Sequence, residues 1–121
     1  MEAITRLAWF ALALIHLPPA AVLFAPNLAE RLYFVDPTGA AGVLIVHRGA
    51  LFFGLVVLAL WAMLDPAFRR AASVVLAISV VGFLIVYARA AGPVGELRTI
   101  AIADAIALAP LAWVGCKAWM A

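Results

Sequence analysis

The stretch AGVLIVHRGALFFGLVVLALWAML, residues 41–64, decides the fold. It carries a single charged side chain, Arg48, and is stopped by Asp65 and Pro66. As a helix rising about 1.5 Å per residue it is roughly 36 Å long, enough to cross a hydrocarbon core of about 30 Å. Three further apolar stretches, residues 4–24, 71–88 and 97–119, have comparable length. Of the 121 residues, 69% are hydrophobic and 12% charged. That is about half the charge, roughly 25%, of an ordinary water-soluble domain, so most of the surface has to face lipid. The chain therefore reads as an all-α integral membrane protein, a four-helix transmembrane bundle forming one domain over residues 1–121.

The prolines and turns refine this outline. Pro18 and Pro19 remove backbone donors in the first span, which predicts a break there and a kinked continuation to Phe24. Pro110 predicts a kink in the fourth. Between the first two spans, Asn27 with Glu30 three residues later has the pattern of a capping box that opens a short interfacial helix, Leu28 to Phe34. The turn Asp36-Pro37-Thr38-Gly39 ends it. Arg6 followed by an apolar run to Leu17 also has the outline of a signal peptide, but no small-x-small cleavage site follows the prolines, and the segment is read as a span. Gly54, Ser73, Ser79 and Gly82 are expected at close helix contacts.

Alternate threading sorts the charges. Arg6, Arg69, Arg70 and Lys117 fall on the side of the termini, whereas the long first loop offers Arg31 offset by Glu30 and Asp36. The positive-inside bias places both termini in the cytoplasm. Trp9, Trp61, Trp113 and Trp119 all thread toward the terminal face, as an aromatic belt anchoring that interface. A net charge of +2 without a basic run excludes nucleic-acid binding. The single Cys116 excludes an internal disulfide, a Cys-x-x-Cys pair and a multi-thiolate metal centre.

The embedded polar residues gather at the opposite end. His16 closes the first span, His47 and Arg48 lie two turns into the second, Tyr87 and Arg89 end the third, and Glu96, Arg98 and Asp104 open the fourth. Asp104 is about 9 Å along its helix from Arg98. A charge at such depth costs on the order of 2.5–3.5 kcal/mol on insertion scales, which predicts an inward-facing partner, and Arg48 is the natural one for Asp104. Two readings stand side by side. The residues form a structural polar knot that fixes helix register, or they line a water-accessible pocket for a ligand, with the arginines meeting an anionic or carbonyl group and Asp104 or a histidine handling a proton. In the second reading His16, Tyr33, His47, Arg48, Tyr87, Arg98 and Asp104 are the candidate ligand-binding residues. Haem held by His16 and His47, with Arg48 or Arg98 at the propionates, is an alternative cofactor. A zinc or copper site from His16, His47 and Asp104 has no motif spacing behind it. His16 could instead satisfy carbonyls freed by the two prolines.

These residues carry a resemblance. His16-Leu17-Pro18, Leu32-Tyr33, His47-Arg48 with Leu51-Phe52, Ser79 with Phe83, and Leu97-Arg98 with Asp104 six residues on make the chain similar to an uncharacterised family of small four-span bacterial inner-membrane proteins. The resemblance covers nearly the whole chain; the His-Arg-x-x-Leu-Phe and Arg-x5-Asp elements are its more specific parts, and Gly92-Pro93-Val94-Gly95-Glu96 departs from the pattern. Members of that family are often labelled phosphopantetheine adenylyltransferase. That enzyme is a soluble nucleotidyltransferase with a His-x-Gly-His element, whereas the nearest string here, Ile15-His16-Leu17-Pro18, lacks a second histidine, and the chain has no glycine-rich phosphate loop.

Three functions follow as expectations. The first is a binding or accessory membrane protein whose extracytoplasmic pocket holds a membrane lipid headgroup or small amphiphile. The second is a small redox or transfer enzyme using His47 and Asp104. The third is a structural subunit, as a homo-oligomer or with a membrane-complex partner.

Overall fold

The computed structural model of the protein describes residues 1–92 and 95–120; Pro93 and Val94, and with them the middle of the third loop, lie outside the described residues, as does the side chain of Glu96. The described chain is all-α. Helix α1 spans Glu2–Phe24, α2 Leu28–Tyr33, α3 Ala40–Leu64, α4 Arg69–Arg89 and α5 Glu96–Met120, with a 3-10 turn Pro66–Phe68 leading into α4. Four of these helices are long and apolar enough to cross a membrane, so the protein is a multi-pass membrane protein. They run up and down alternately, which leaves a terminal end, where α1 begins and α5 finishes, and a loop end carrying α2.

The core combines small residues with larger ones such as Trp9, Leu12 and Leu76. Ala13, Ala20, Ala59, Ala62, Ala72 and Ala107 are buried, while Leu7, Leu14, Leu44, Leu51, Ile78, Val86 and Ile106 face outward. This distribution suits lipid, where association depends on close backbone approach rather than on hiding large apolar groups. Helix α1 packs along α3 and α5, and α4 packs along α5, but α3 and α4 touch little. Between them runs an open apolar groove lined by residues that include Leu51, Leu55, Ile78, Gly82 and Val86.

Several expectations change. Pro18 and Pro19 do not end α1, which is one continuous helix to Phe24; in a bundle, packing against neighbouring helices holds a chain whose local ladder is weakened. The Asn27 side chain makes no capping bond, because Asn27 itself adopts helical angles. Helix α2 ends at Tyr33, with Phe34 in the left-handed region at φ 57°. Thr38 donates its backbone N–H and its hydroxyl to Asp36 Oδ1 at 2.9 and 2.8 Å, which closes the turn and holds the Asp36 carboxyl below the usual carboxylate range.

Gly54 and Gly82 are not close-contact positions, since a Cβ at either would meet open space. The intimate glycines are others. A Cβ on Gly49 would lie 2.9 Å from the Leu23 nitrogen and 3.1 Å from the Pro19 carbonyl oxygen, and one on Gly42 would overlap the Asp36 and Pro37 backbone. Gly49 thus sets the α1–α3 spacing, and Gly42 seats the first loop on α3. Trp9 does not belong to the belt either: it is fully buried in the core.

Candidate functional site

At the terminal end several polar groups pair with one another, although the buried Trp9 Nε1 has no hydrogen-bond partner among the described residues. Arg69 is buried and donates from Nε to the Ala62 carbonyl at 2.8 Å, from Nη2 to the Met63 carbonyl at 3.3 Å, and from both terminal nitrogens to Glu2 at 2.5 and 3.1 Å. A cation on the last carbonyls of α3 complements that helix terminus. Trp113 donates to Thr5 Oγ1 at 3.2 Å, Trp119 to Ser73 Oγ at 3.1 Å, and Arg70 to the Ala118 carbonyl at 3.0 Å. The sequence reading took Arg69 and Arg70 only as orientation charges and missed this latch.

At the loop end the arrangement is different. A cavity of about 160 Å³ opens where α1, α2, α3 and α5 converge. Each element contributes one face at helical spacing: Ile15, His16, Pro18 and Pro19 from α1; Leu32 and Tyr33 from α2; Arg48 and Phe52 from α3; Thr99, Ile100, Ala103 and Asp104 from α5. Of the seven candidate residues, His16, Tyr33, Arg48 and Asp104 therefore line one space.

His16 is 1% exposed and sits with its ring stacked on Phe52, centroids 5.7 Å apart. Its Nδ1 lies 2.8 Å from the Leu12 carbonyl. A carbonyl can only accept, so Nδ1 carries the hydrogen, and in the neutral ring Nε2 holds a bare lone pair. Nε2 is buried and has no hydrogen-bond partner among the described residues. His16 bonds its own preceding turn, not the Leu14 or Ile15 carbonyls that the prolines free.

The expected Arg48–Asp104 pair is not closed. Arg48 acts on Asp104 through its charge, but no contact ion pair joins them among the described residues. The reason is aromatic: the guanidinium lies over the Phe52 ring at 4.7 Å and faces Phe83 at 5.9 Å. Burial pushes the Tyr33 hydroxyl above its ordinary range, against the pull of Arg48, so Tyr33 stays a neutral O–H group. Arg48 and Phe52 also line the α3–α4 groove, and Tyr33 and Arg48 line an opening beneath α2. Arg48 thus stands where three spaces meet.

The other candidates lie elsewhere. His47 is exposed on α3 and Arg98 is exposed on α5, and neither lines the cavity. Tyr87 stacks on Phe83 at 6.1 Å, one ring removed from Arg48. His47 thus stands outside the cavity that His16 and Asp104 line. Among the described residues no cluster of three metal-ligating side chains forms. Phe52 and Thr99 were missed as site residues; Phe52 is one helical turn beyond Arg48, and Thr99 is one turn before Ala103, which lines the cavity beside Asp104.

Comparison of the chain with protein-family models, curated proteins and solved structures gives no match, so the site is read from its own residues.

Proposed function

We propose that the protein binds a lipid headgroup or small amphiphile in the loop-end cavity and serves as a binding or accessory component of a bacterial inner membrane, with its termini in the cytoplasm. One observation carries this reading: His16, Tyr33, Arg48 and Asp104 line one cavity, and no contact ion pair joins Arg48 to Asp104 among the described residues. Lipid supplies no hydrogen bonds, so polar groups left open there are costly unless a bound molecule completes them. The orientation rests on the charge asymmetry between the two ends.

Native mass spectrometry of the protein released from mild detergent tests the reading. A discrete extra mass that disappears in Arg48→Ala, with helical content retained, is expected; a bare protein under the gentlest release overturns it. For the orientation, thiol labelling of Thr38→Cys, in a Cys116→Ala background, should occur from the extracytoplasmic side only.

A specific observation also favours association. His47 is exposed about two turns into a membrane-spanning helix, where ionisable residues normally face protein. We propose that this face of α3 meets a partner chain, a second copy being the simplest. Loss of the higher-order species in His47→Leu, read in the same spectra, is the expected result.

A further inference from the structure

The charges of the loop-end cavity, and the spaces each of them borders, narrow its occupant, given the amphiphile-binding reading above. One cation, Arg48, and one carboxylate, Asp104, line a space of about 160 Å³ whose remaining walls are mostly apolar. They are too far apart for a contact ion pair, yet the charge of Arg48 acts on Asp104. Asp104 is not sealed off. Among the described residues the buried side-chain nitrogen and oxygen atoms without a partner are Trp9 Nε1 and His16 Nε2, so the Asp104 oxygens, which make no hydrogen bond there, remain open.

A ligand that satisfies both groups carries an anion and a cation and is neutral as a whole. A purely anionic head would set its charge near Asp104 with Arg48 alone to offset both, and a purely cationic head would face Arg48; burial penalises either. The order of the two charges follows from the spaces. Arg48 borders the cavity, the α3–α4 groove and the opening beneath α2, whereas Asp104 lines the cavity and neither of the other two. A molecule with its head in the cavity and a hydrocarbon chain along Leu51, Leu55 and Ile78 of the groove passes Arg48 where the two spaces join. Its anion therefore stands between chain and head, and its cation lies beyond, in the head. A phosphodiester lipid that bears an ammonium has this sequence of charges.

Size and donors select among ammonium heads. An apolar cavity of roughly 150 Å³ holds benzene, so a space of about 160 Å³ takes a compact head. A primary ammonium brings three N–H donors, which suit the Asp104 carboxylate and the Thr99 hydroxyl in the lining. A trimethylammonium brings none and is recognised by open aromatic faces instead. The Phe52 ring already carries the Arg48 guanidinium at 4.7 Å and stacks with His16 at 5.7 Å.

We infer that the occupant is a zwitterionic phospholipid of the ethanolamine type, with its phosphate at Arg48, its ammonium at Asp104 and an acyl chain in the α3–α4 groove. The proposal concerns binding; no bond is made or broken.

The test places the full chain in nanodiscs holding equal parts of ethanolamine, choline and glycerol phospholipids, with acyl chains labelled to differ in mass, and reads the retained lipid by native mass spectrometry. The ethanolamine lipid should be retained about tenfold over each of the others, the effect expected for one charged hydrogen bond. Asp104→Asn should remove its advantage over the choline lipid and raise the glycerol lipid above both, because the site then carries the Arg48 charge alone. An unchanged preference in that variant overturns the assignment of the ammonium to Asp104; if the variant does not fold, the wild-type comparison decides alone. Free phosphoethanolamine at the concentration of the lipid should not displace it, and displacement would overturn the placing of a chain in the groove. Retention of the choline or the glycerol lipid equal to that of the ethanolamine lipid overturns the zwitterion inference and leaves amphiphile binding standing. A retained mass that is not a phospholipid does the same. No bound amphiphile of any kind overturns both.

Discussion

Two arginines, one at each end of the bundle, meet opposite surroundings. Arg69 at the terminal end spends its donors on the Ala62 and Met63 carbonyls and the Glu2 carboxylate. Arg48 at the loop end lies over the Phe52 ring, with no contact ion pair to the carboxylate that shares its cavity. A bilayer penalises open polar groups at both ends alike. A closed network is therefore what stability alone favours, and an open one is what a binding site requires before its ligand arrives. Stability and binding should accordingly separate by end when individual residues are replaced.

The sharpest way to break the contrast is Arg69→Ala. The variant removes donors from two carbonyls at the end of α3 and from Glu2, and the expected loss is about 3 kcal/mol, as for charged hydrogen bonds left unmade. Unfolding followed by far-ultraviolet circular dichroism in detergent checks it. Glu2→Gln should act in the same direction and less strongly, because Glu2 is half exposed and water takes over part of its role. An Arg69→Ala protein as stable as wild type would mean that the terminal end is no latch.

Glycines supply a second contrast within one helix. Gly49→Ala forces a methyl group against the Leu23 and Pro19 backbone and should cost about 2 kcal/mol through overpacking. Gly54→Ala, five residues on, meets open space and should not lower stability at all. Opposite results in the same unfolding assay would overturn the assignment of Gly49 as the spacer between α1 and α3. Trp113→Phe is milder. It removes the indole bond to Thr5 while keeping a ring in place, and about 1 kcal/mol is expected.

These variants also show what the sequence could and could not tell. The spans are legible because twenty apolar residues in a row have few other uses, and depth along a helix follows from counting, which is how His16, Arg48 and Asp104 were assembled at one level; Tyr33, on the short α2, entered through the resemblance. Rotation about the helix axis is not legible in the same way. His47 and Arg48 are neighbours in sequence and about 100° apart in projection; only the packing of α3 on α1 turns Arg48 to the cavity and His47 outward. In a helix apolar all round, no hydrophobic stripe marks the inner face. Backbone acceptors are equally silent, so Arg69 looked like an orientation charge, and a carbonyl partner was expected for His16 without its being the Leu12 one. Glycine contacts depend on where two helices cross, which is why Gly54 was expected to be intimate and Gly49 proved to be so.

The smallest expected effect is the most discriminating. Asp104→Asn preserves volume and removes a charge that makes no hydrogen bond or contact ion pair among the described residues. If the loop-end residues formed a structural knot, stranding Arg48 in this way should cost several kcal/mol, as breaking a buried pair does. In the open cavity Arg48 keeps its place over Phe52, and Asp104→Asn should shift stability by less than about 0.5 kcal/mol. The same variant should nonetheless weaken retention of the bound mass, because the negative charge facing the ligand is gone and one of the two carboxylate acceptors becomes a donor. Unfolding and native mass spectrometry on one preparation measure both quantities. Loss of stability comparable with that in Arg69→Ala would make the two ends alike and remove the ground for placing a binding site at either.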